Sequence, residues 1–202
     1  MAKKIPIDFY RCDDVVQIAS DLIGKDLYTC IGGKICAGTI VETEAYRGPE
    51  DRASHAFNNR RTPLNEMMYS AGGKVYMYIC YGIHDMLNIV TGTEGSSHAI
   101  LIRAIEPHTG IEYMRERRNL FNNDRRLCQG PGSLAKAMGL NKSHNGADIL
   151  SDMIWIEDSG KSYSADEINS SARIGLNFEG PYKLIPWRFY LKGNIYVSRS
   201  YL

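Results

Sequence analysis

Two carboxylates, Glu42 and Glu44, stand two apart in "GTIVETEAYRGPEDRASH", residues 38–55. Tyr46 follows in the same phase, and His55 comes nine residues after it. Alternate residues of a strand point the same way, so Ile40, Glu42, Glu44 and Tyr46 would share one face. At roughly 3.3 Å per residue the glutamates lie about 7 Å apart, compatible with an inverting pair that hydrolyses a glycosidic bond. One glutamate alone could activate a water. Exposed glutamate is also common on ordinary surfaces. The same pattern therefore fits a half-exposed strand, with Val41, Thr43 and Ala45 turned to a core.

Further groups with chemical potential follow. In "VYMYICYG" Tyr76 and Tyr78 share a face, Met77 and Ile79 take the other, and Tyr81 precedes Gly82 at a plausible turn. Aromatic residues in a strand usually pack a core. A tyrosine at a hairpin tip is poorly placed for that and can wedge between stacked bases. "AILIR" puts Ala99, Leu101 and Arg103 in phase, and an arginine closing an apolar strand needs a carboxylate or a ligand. Arg60-Arg61, the arginine-rich run 115–118 and Arg125-Arg126 could meet phosphates or simply be solvated. The "GPGS" entry to a helix could add backbone N–H groups.

These residues need a frame. A helix is predicted from the spacing of Val15, Val16, Ile18, Ala19, Leu22 and Ile23, capped by Asp13 or Asp14 and ended by Gly24. A hairpin turns at Gly32-Gly33. "GKVYMYICYG" and "HAILIRAIEP" read as strands, "TGIEYMRERRNLF" and "GPGSLAKAMGL" as helices. "DMIWIED", "YKLIPWRFYL" and "NIYVSRS" read as late strands. Strands follow strands without βαβ alternation, which argues for an α+β fold, one domain over residues 1–202 around a largely antiparallel sheet. The 202 residues are 44% hydrophobic, with a formal charge of +1, so any basic footprint must be local. Five cysteines form no CxxC pair, arguing against a zinc site or disulfide framework and for a reducing compartment. Neither a signal peptide nor a membrane span is expected.

The motifs "ETEAY", "GPEDRASHA", "RTP", "VYMYICYG", "LNIV", "LIRAIEP", "GPGSLAKAM" and "ARIG" occur in an order and spacing that resemble the alkyladenine (3-methyladenine) DNA glycosylases. The resemblance runs over residues 10–196, and the chain looks like the catalytic core without the N-terminal extension of mammalian members. It implies removal of 3-methyladenine, 7-methylguanine, hypoxanthine or ethenoadenine from duplex DNA by hydrolysis of the N-glycosidic bond. It also implies a single domain with a protruding β-hairpin. By position, Glu44 matches the glutamate that activates water, and Arg103 an arginine that helps hold it. Ile174 matches the residue whose carbonyl also contacts that water. Tyr46, His55 and Tyr78 match the residues that hold the flipped base, and Asn88 the asparagine that opposes the guanine amino group. Tyr81 matches the intercalating tyrosine. Glu42 is then structural or a support for the site.

No lysine falls on a matched nucleophile position, which implies plain hydrolysis without a Schiff base. No cofactor or metal is expected. The partner would be damaged double-stranded DNA, without a membrane, bound by a monomer that is cytoplasmic and nucleoid-associated in a bacterium or nuclear in a eukaryote. After Tyr81 the chain reads "GIHDMLN" where mammalian members are bulkier, which leaves the strength of insertion open. Two other classes stay open: a carbohydrate hydrolase using Glu42 with Glu44, and a non-enzymatic reader of single strands.

Overall fold

The computed structural model describes residues 3–198. Asp14 accepts a hydrogen bond from Gln17 N at 3.0 Å and caps a helix, as its sequence predicts. In chain order the elements are β1 (Lys3–Lys4), α1 (Ile7–Tyr10), α2 (Val15–Asp21), β2 (Asp26–Ile31), β3 (Lys34–Arg47), β4 (Val75–Cys80) and β5 (His84–Thr91). There follow β6 (His98–Thr109), α3 (Ile111–Arg118), α4 (Pro131–Met138), β7 (Ile154–Asp158), β8 (Ile168–Ser171), α5 (Pro181–Leu184) and β9 (Arg188–Leu191). The strands form one sheet in the order β1-β7-β2-β3-β6-β5-β4, with β9 joining β3 to β8. Every described pairing of these strands is antiparallel, and the fold is α+β.

The alternation of side chains gives the sheet two occupied faces. Val75, Met77, Leu87, Ile89, Ile100 and Ile102 pack with α2 and α4 in the main core. The intervening residues Tyr76, Val90 and Ala99 join Ala56, Met68 and Tyr69 in a smaller cluster on the opposite face. Strand β3 is central: β2 pairs with its first half, β9 with Glu42–Glu44, and β6 runs along its other edge.

Four expectations are corrected. Strand β3 is not half exposed: Glu42 and Glu44 are both 0% exposed, because strands flank them on both sides and both faces are covered. Ile40 belongs to the main core rather than to the glutamate face, since a bulge at Val41 shifts the phase of the strand. "YKLIPWRFYL" is not one strand. Gly180 and Pro181 start the short helix α5 in it, and only Arg188–Leu191 pair. The described part of "NIYVSRS" is turn, and its last residues lie outside the described range.

Candidate active site

Strand register builds the site. Tyr76 faces Asn88 across β4–β5, Asn88 faces Leu101 across β5–β6, and Leu101 faces Glu44 across β6–β3. These four side chains form one lateral row on one face of the sheet. Tyr78 opposite Met86, and Tyr46 opposite Ala99, flank it. Residues 44 to 101 are thus brought side by side by pairing alone.

A second bulge places the arginine. Thr43 pairs with Ile102 and Glu42 with Ala104, leaving Arg103 unopposed on β6. The residue is only 7% exposed, and its side chain reaches both glutamates. Nε donates to Glu42 Oε1 at 2.9 Å, and Nη1 lies 3.3 Å from Glu44 Oε1. Burial alone would lower the pKa of this guanidinium, but the Glu44 and Glu42 carboxylates together hold it above its ordinary value.

The two glutamates differ in what surrounds them. Glu42 Oε1 accepts from Arg103 Nε, Arg188 Nε at 2.7 Å and Ser198 Oγ at 2.7 Å, while Oε2 accepts from Ser198 N at 2.7 Å. That carboxylate is committed to holding two buried arginines and Ser198. Glu44 Oε2 accepts from the Tyr46 hydroxyl at 2.8 Å, and Oε1 from Ile174 N at 2.7 Å. Tyr46, Arg103 and Ile174, the three groups that hold Glu44, all line a cavity of about 690 Å³. Glu44 sits just behind this collar. At Ile174 it is the N–H that contacts the site glutamate, whereas the family resemblance assigns a role to the carbonyl.

The cavity wall is aromatic. Tyr46, His55, Tyr76 and Tyr78 line it together with Met86, Asn88 and Leu101. The His55 ring lies 4.2 Å from that of Tyr78, centroid to centroid, and its Nδ1 is 2.8 Å from the Tyr76 hydroxyl. Asn88 is buried and donates from Nδ2 to Tyr76 O and Met86 O. Its amide nitrogen is thus used on backbone.

Two histidines of this region, His55 and His98, are held below the ordinary value of 6.5, in each case first by burial. Arg60 adds to the effect at His55. The unfolded chain therefore takes up these protons first as pH falls. Stability present above about pH 6.5 should decline below it, before most carboxylates titrate. Urea midpoints between about pH 7.5 and pH 5.5 test this, and a flat profile would contradict it.

Tyr81 is 85% exposed at the β4–β5 tip, beside Ile83 at 74%. Tyr81 and Gly82 both have positive φ, 52° and 73°, and Ile83 N donates to Cys80 O at 3.2 Å. A tyrosine held in the left-handed region is uncommon and strained, and such residues cluster at ligand contacts. Tyr81 also lines the cavity edge, so the tip and the pocket are continuous.

Sequence reasoning missed a buried ion pair under the site. Arg173 and Asp51 have fully buried side chains, and Nη2 of Arg173 donates to Asp51 Oδ1 at 2.8 Å. The Arg173 guanidinium lies 4.7 Å from the Tyr46 ring centroid and 5.2 Å from that of Trp187. The signal was available: an arginine in "ARIG" sits between apolar neighbours, as Arg103 does.

The arginine runs are partly self-satisfied. Arg61 pairs with Glu66, Arg115 with Asp124, and Arg125 donates to Ile195 O. Arg117 and Arg118 line a separate groove of about 890 Å³ with Lys136 and the start of α4. His84, Met86 and Pro131 border both this groove and the aromatic cavity.

An antiparallel α+β sheet that carries a buried glutamate behind an aromatic cavity, next to a protruding tyrosine, has the features of a nucleobase-handling hydrolase. The family model described as "Methylpurine-DNA glycosylase (MPG)" matches residues 8–195. The chain belongs to this family of DNA glycosylases, hydrolases of DNA repair. A Chlamydia felis protein provisionally named 3-methyladenine DNA glycosylase is 44% identical over 197 residues, covering 97% of this chain and 99% of its own length. A Bacillus subtilis protein with the same provisional name is 41% identical over 195 residues, covering 96% of each. Among the described residues no three His, Cys, Asp or Glu side chains cluster as a metal site, and no helix is long and apolar enough to cross a membrane.

Proposed function

We propose that this protein is a monofunctional glycosylase that takes alkylated or deaminated purines out of duplex DNA and hydrolyses their N-glycosidic bond. The observation that carries this reading is the collar of Tyr46, Arg103 and Ile174, which holds Glu44 directly behind an aromatic cavity. A base inside a duplex is out of reach, so the nucleotide must rotate outward. Tyr81 fills the gap it leaves. Tyr46, Tyr78 and His55 hold the base by its faces, and electron-poor alkylated purines gain most from such rings. Asn88 excludes the guanine amino group.

Glu44 accepts a proton from a water whose oxygen attacks the anomeric carbon. The C–N bond breaks and its electron pair leaves with the purine. The carboxylate also stabilises positive charge developing on the sugar. Water reaches Glu44 through the collar, so Arg103 both orients the carboxylate and borders the path. The groove of Arg117, Arg118 and Lys136 adjoins the cavity and is suited to the DNA backbone.

The carbohydrate-hydrolase alternative loses its second carboxylate, because Glu42 is already filled by two arginines and Ser198.

Duplex oligonucleotides carrying hypoxanthine or ethenoadenine, treated with the protein and then with alkali, test the proposal. Strand breaks at the damaged position are expected. Their absence at excess protein overturns the proposal, and tight binding of undamaged single strands without base release would favour the non-enzymatic reader. Tyr81→Ala should weaken binding of the damaged duplex by roughly tenfold, since stacking one base is worth about 1–3 kcal/mol. A binding titration that leaves the affinity unchanged removes the wedge role.

A further inference from the structure

We propose that Arg173 is a positioning residue for Glu44, tying the carboxylate, the Tyr46 wall and the His55 turn into one rigid unit. The inference rests on Glu44 being the water-activating group.

Four of the five N–H groups of Arg173 are accounted for, and they reach three different segments. Nη1 donates to Ala45 O at 2.8 Å and to Asp51 Oδ2, and Nη2 donates to Asp51 Oδ1 at 2.8 Å and Tyr182 O at 3.1 Å. Nε is buried without a partner. Asp51 in turn accepts from Ala53 N at 2.9 Å and Arg47 N at 3.2 Å, so it shapes the turn that leads to His55. The guanidinium lies between the rings of Tyr46 and Trp187. The next residue in the chain, Ile174, gives its N–H to Glu44 Oε1 at 2.7 Å. Tyr46 gives its hydroxyl to Glu44 Oε2.

Both hydrogen-bond donors on Glu44 therefore depend on this one cation. One arrives through the peptide that follows Arg173, the other through the ring that Arg173 backs. A fully buried ion pair is a poor way simply to stabilise a fold, since desolvation offsets most of its attraction. Its fork does what an apolar side chain could not, fixing three backbone carbonyl or carboxylate partners at set angles. A small displacement of a reacting group is costly in rate, about a hundredfold for 1 Å. Arg173 itself does not line the cavity.

The test is Arg173→Lys, which keeps the charge and loses the fork, with Asp51→Asn as the variant that leaves the arginine in place. Single-turnover base release from a hypoxanthine duplex should fall roughly 10–100-fold in each, a larger loss than any in damaged-duplex affinity. The Ile174 amide proton, shifted downfield by its carboxylate partner, should move upfield in the nitrogen–proton spectrum. Ile154→Ala, in β7 at the far side of the sheet, serves as a folded control of lowered stability with wild-type rate. Folded variants that release base at the wild-type rate, or lose rate only as much as the control, overturn the proposal. If the wild-type protein releases no base, it is the glycosylase reading that fails. An Ile174 amide that does not move refutes the linkage even if Arg173→Lys proves too unstable for kinetics.

Discussion

Replacing Glu44 by glutamine should reduce base release by a factor of about a thousand or more while leaving the fold and damaged-DNA binding in place. A positioned general base contributes roughly 10²–10⁴-fold, and electrostatic stabilisation of the developing cation adds to it. Glutamine keeps the shape and an acceptor oxygen for the Ile174 N–H or the Tyr46 hydroxyl. It can neither take a proton from water nor offset charge on the sugar. The measurement is single-turnover cleavage of a hypoxanthine duplex beside a binding titration with the same duplex. A variant that cleaves within tenfold of wild type would remove Glu44 from the chemistry.

The second large effect should come from Glu42, two residues away, and should be of a different kind. Its carboxylate is the shared acid partner of Arg103 and Arg188, both under a tenth exposed, and it also receives Ser198 N and Oγ. Glutamine there removes the charge and turns an amide N–H₂ toward groups that are themselves donors. Breaking a buried pair in this way typically costs about 3–5 kcal/mol. That is a large share of the roughly 5–15 kcal/mol that holds a domain folded. The thermal midpoint should drop by roughly 10 °C. Activity should disappear with the folded population and recover on cooling. A Glu42→Gln protein with wild-type stability and no activity would instead restore the two-carboxylate reading.

The contrast between these glutamates marks the limit of what pattern could supply. Period two put both on one face and could not tell them apart. The family resemblance chose between them, and their hydrogen-bond partners differ. Apart from Tyr46 in the same strand, those partners come from β6, β9, Ile174 and Ser198, at sequence separations of 59 to 156 residues. The same holds for exposure. The glutamates read as a solvated face because their polarity was visible and their coverage by β9 and the 173–176 loop was not.

Some features were legible because their cause is local. The cap of Asp14, the Gly32-Gly33 turn with φ of 63° and 73°, and the alternation of Tyr76 and Tyr78 with Met77 are set by the residues themselves. Tyr81 before Gly82 also declared itself, since a large aromatic in a tight turn has no core to enter. Short late elements failed because "YKLIPWRFYL" carries β-forming residues on both sides of a proline, and helix entry at Pro181 outcompeted pairing there.

By itself, then, the sequence determined much of the inventory of this protein: the longer strands and helices, most of the residues that share a strand face, and that Arg103 requires a carboxylate or a ligand. Register and bulges were decided only in the tertiary structure. They line up Tyr76, Asn88, Leu101 and Glu44, free Arg103 to reach between two carboxylates, and stack Arg173 beneath Tyr46. The physical reason is that a strand's alternation is a property of its own backbone, whereas the residue it faces depends on which strand pairs with it and at what offset.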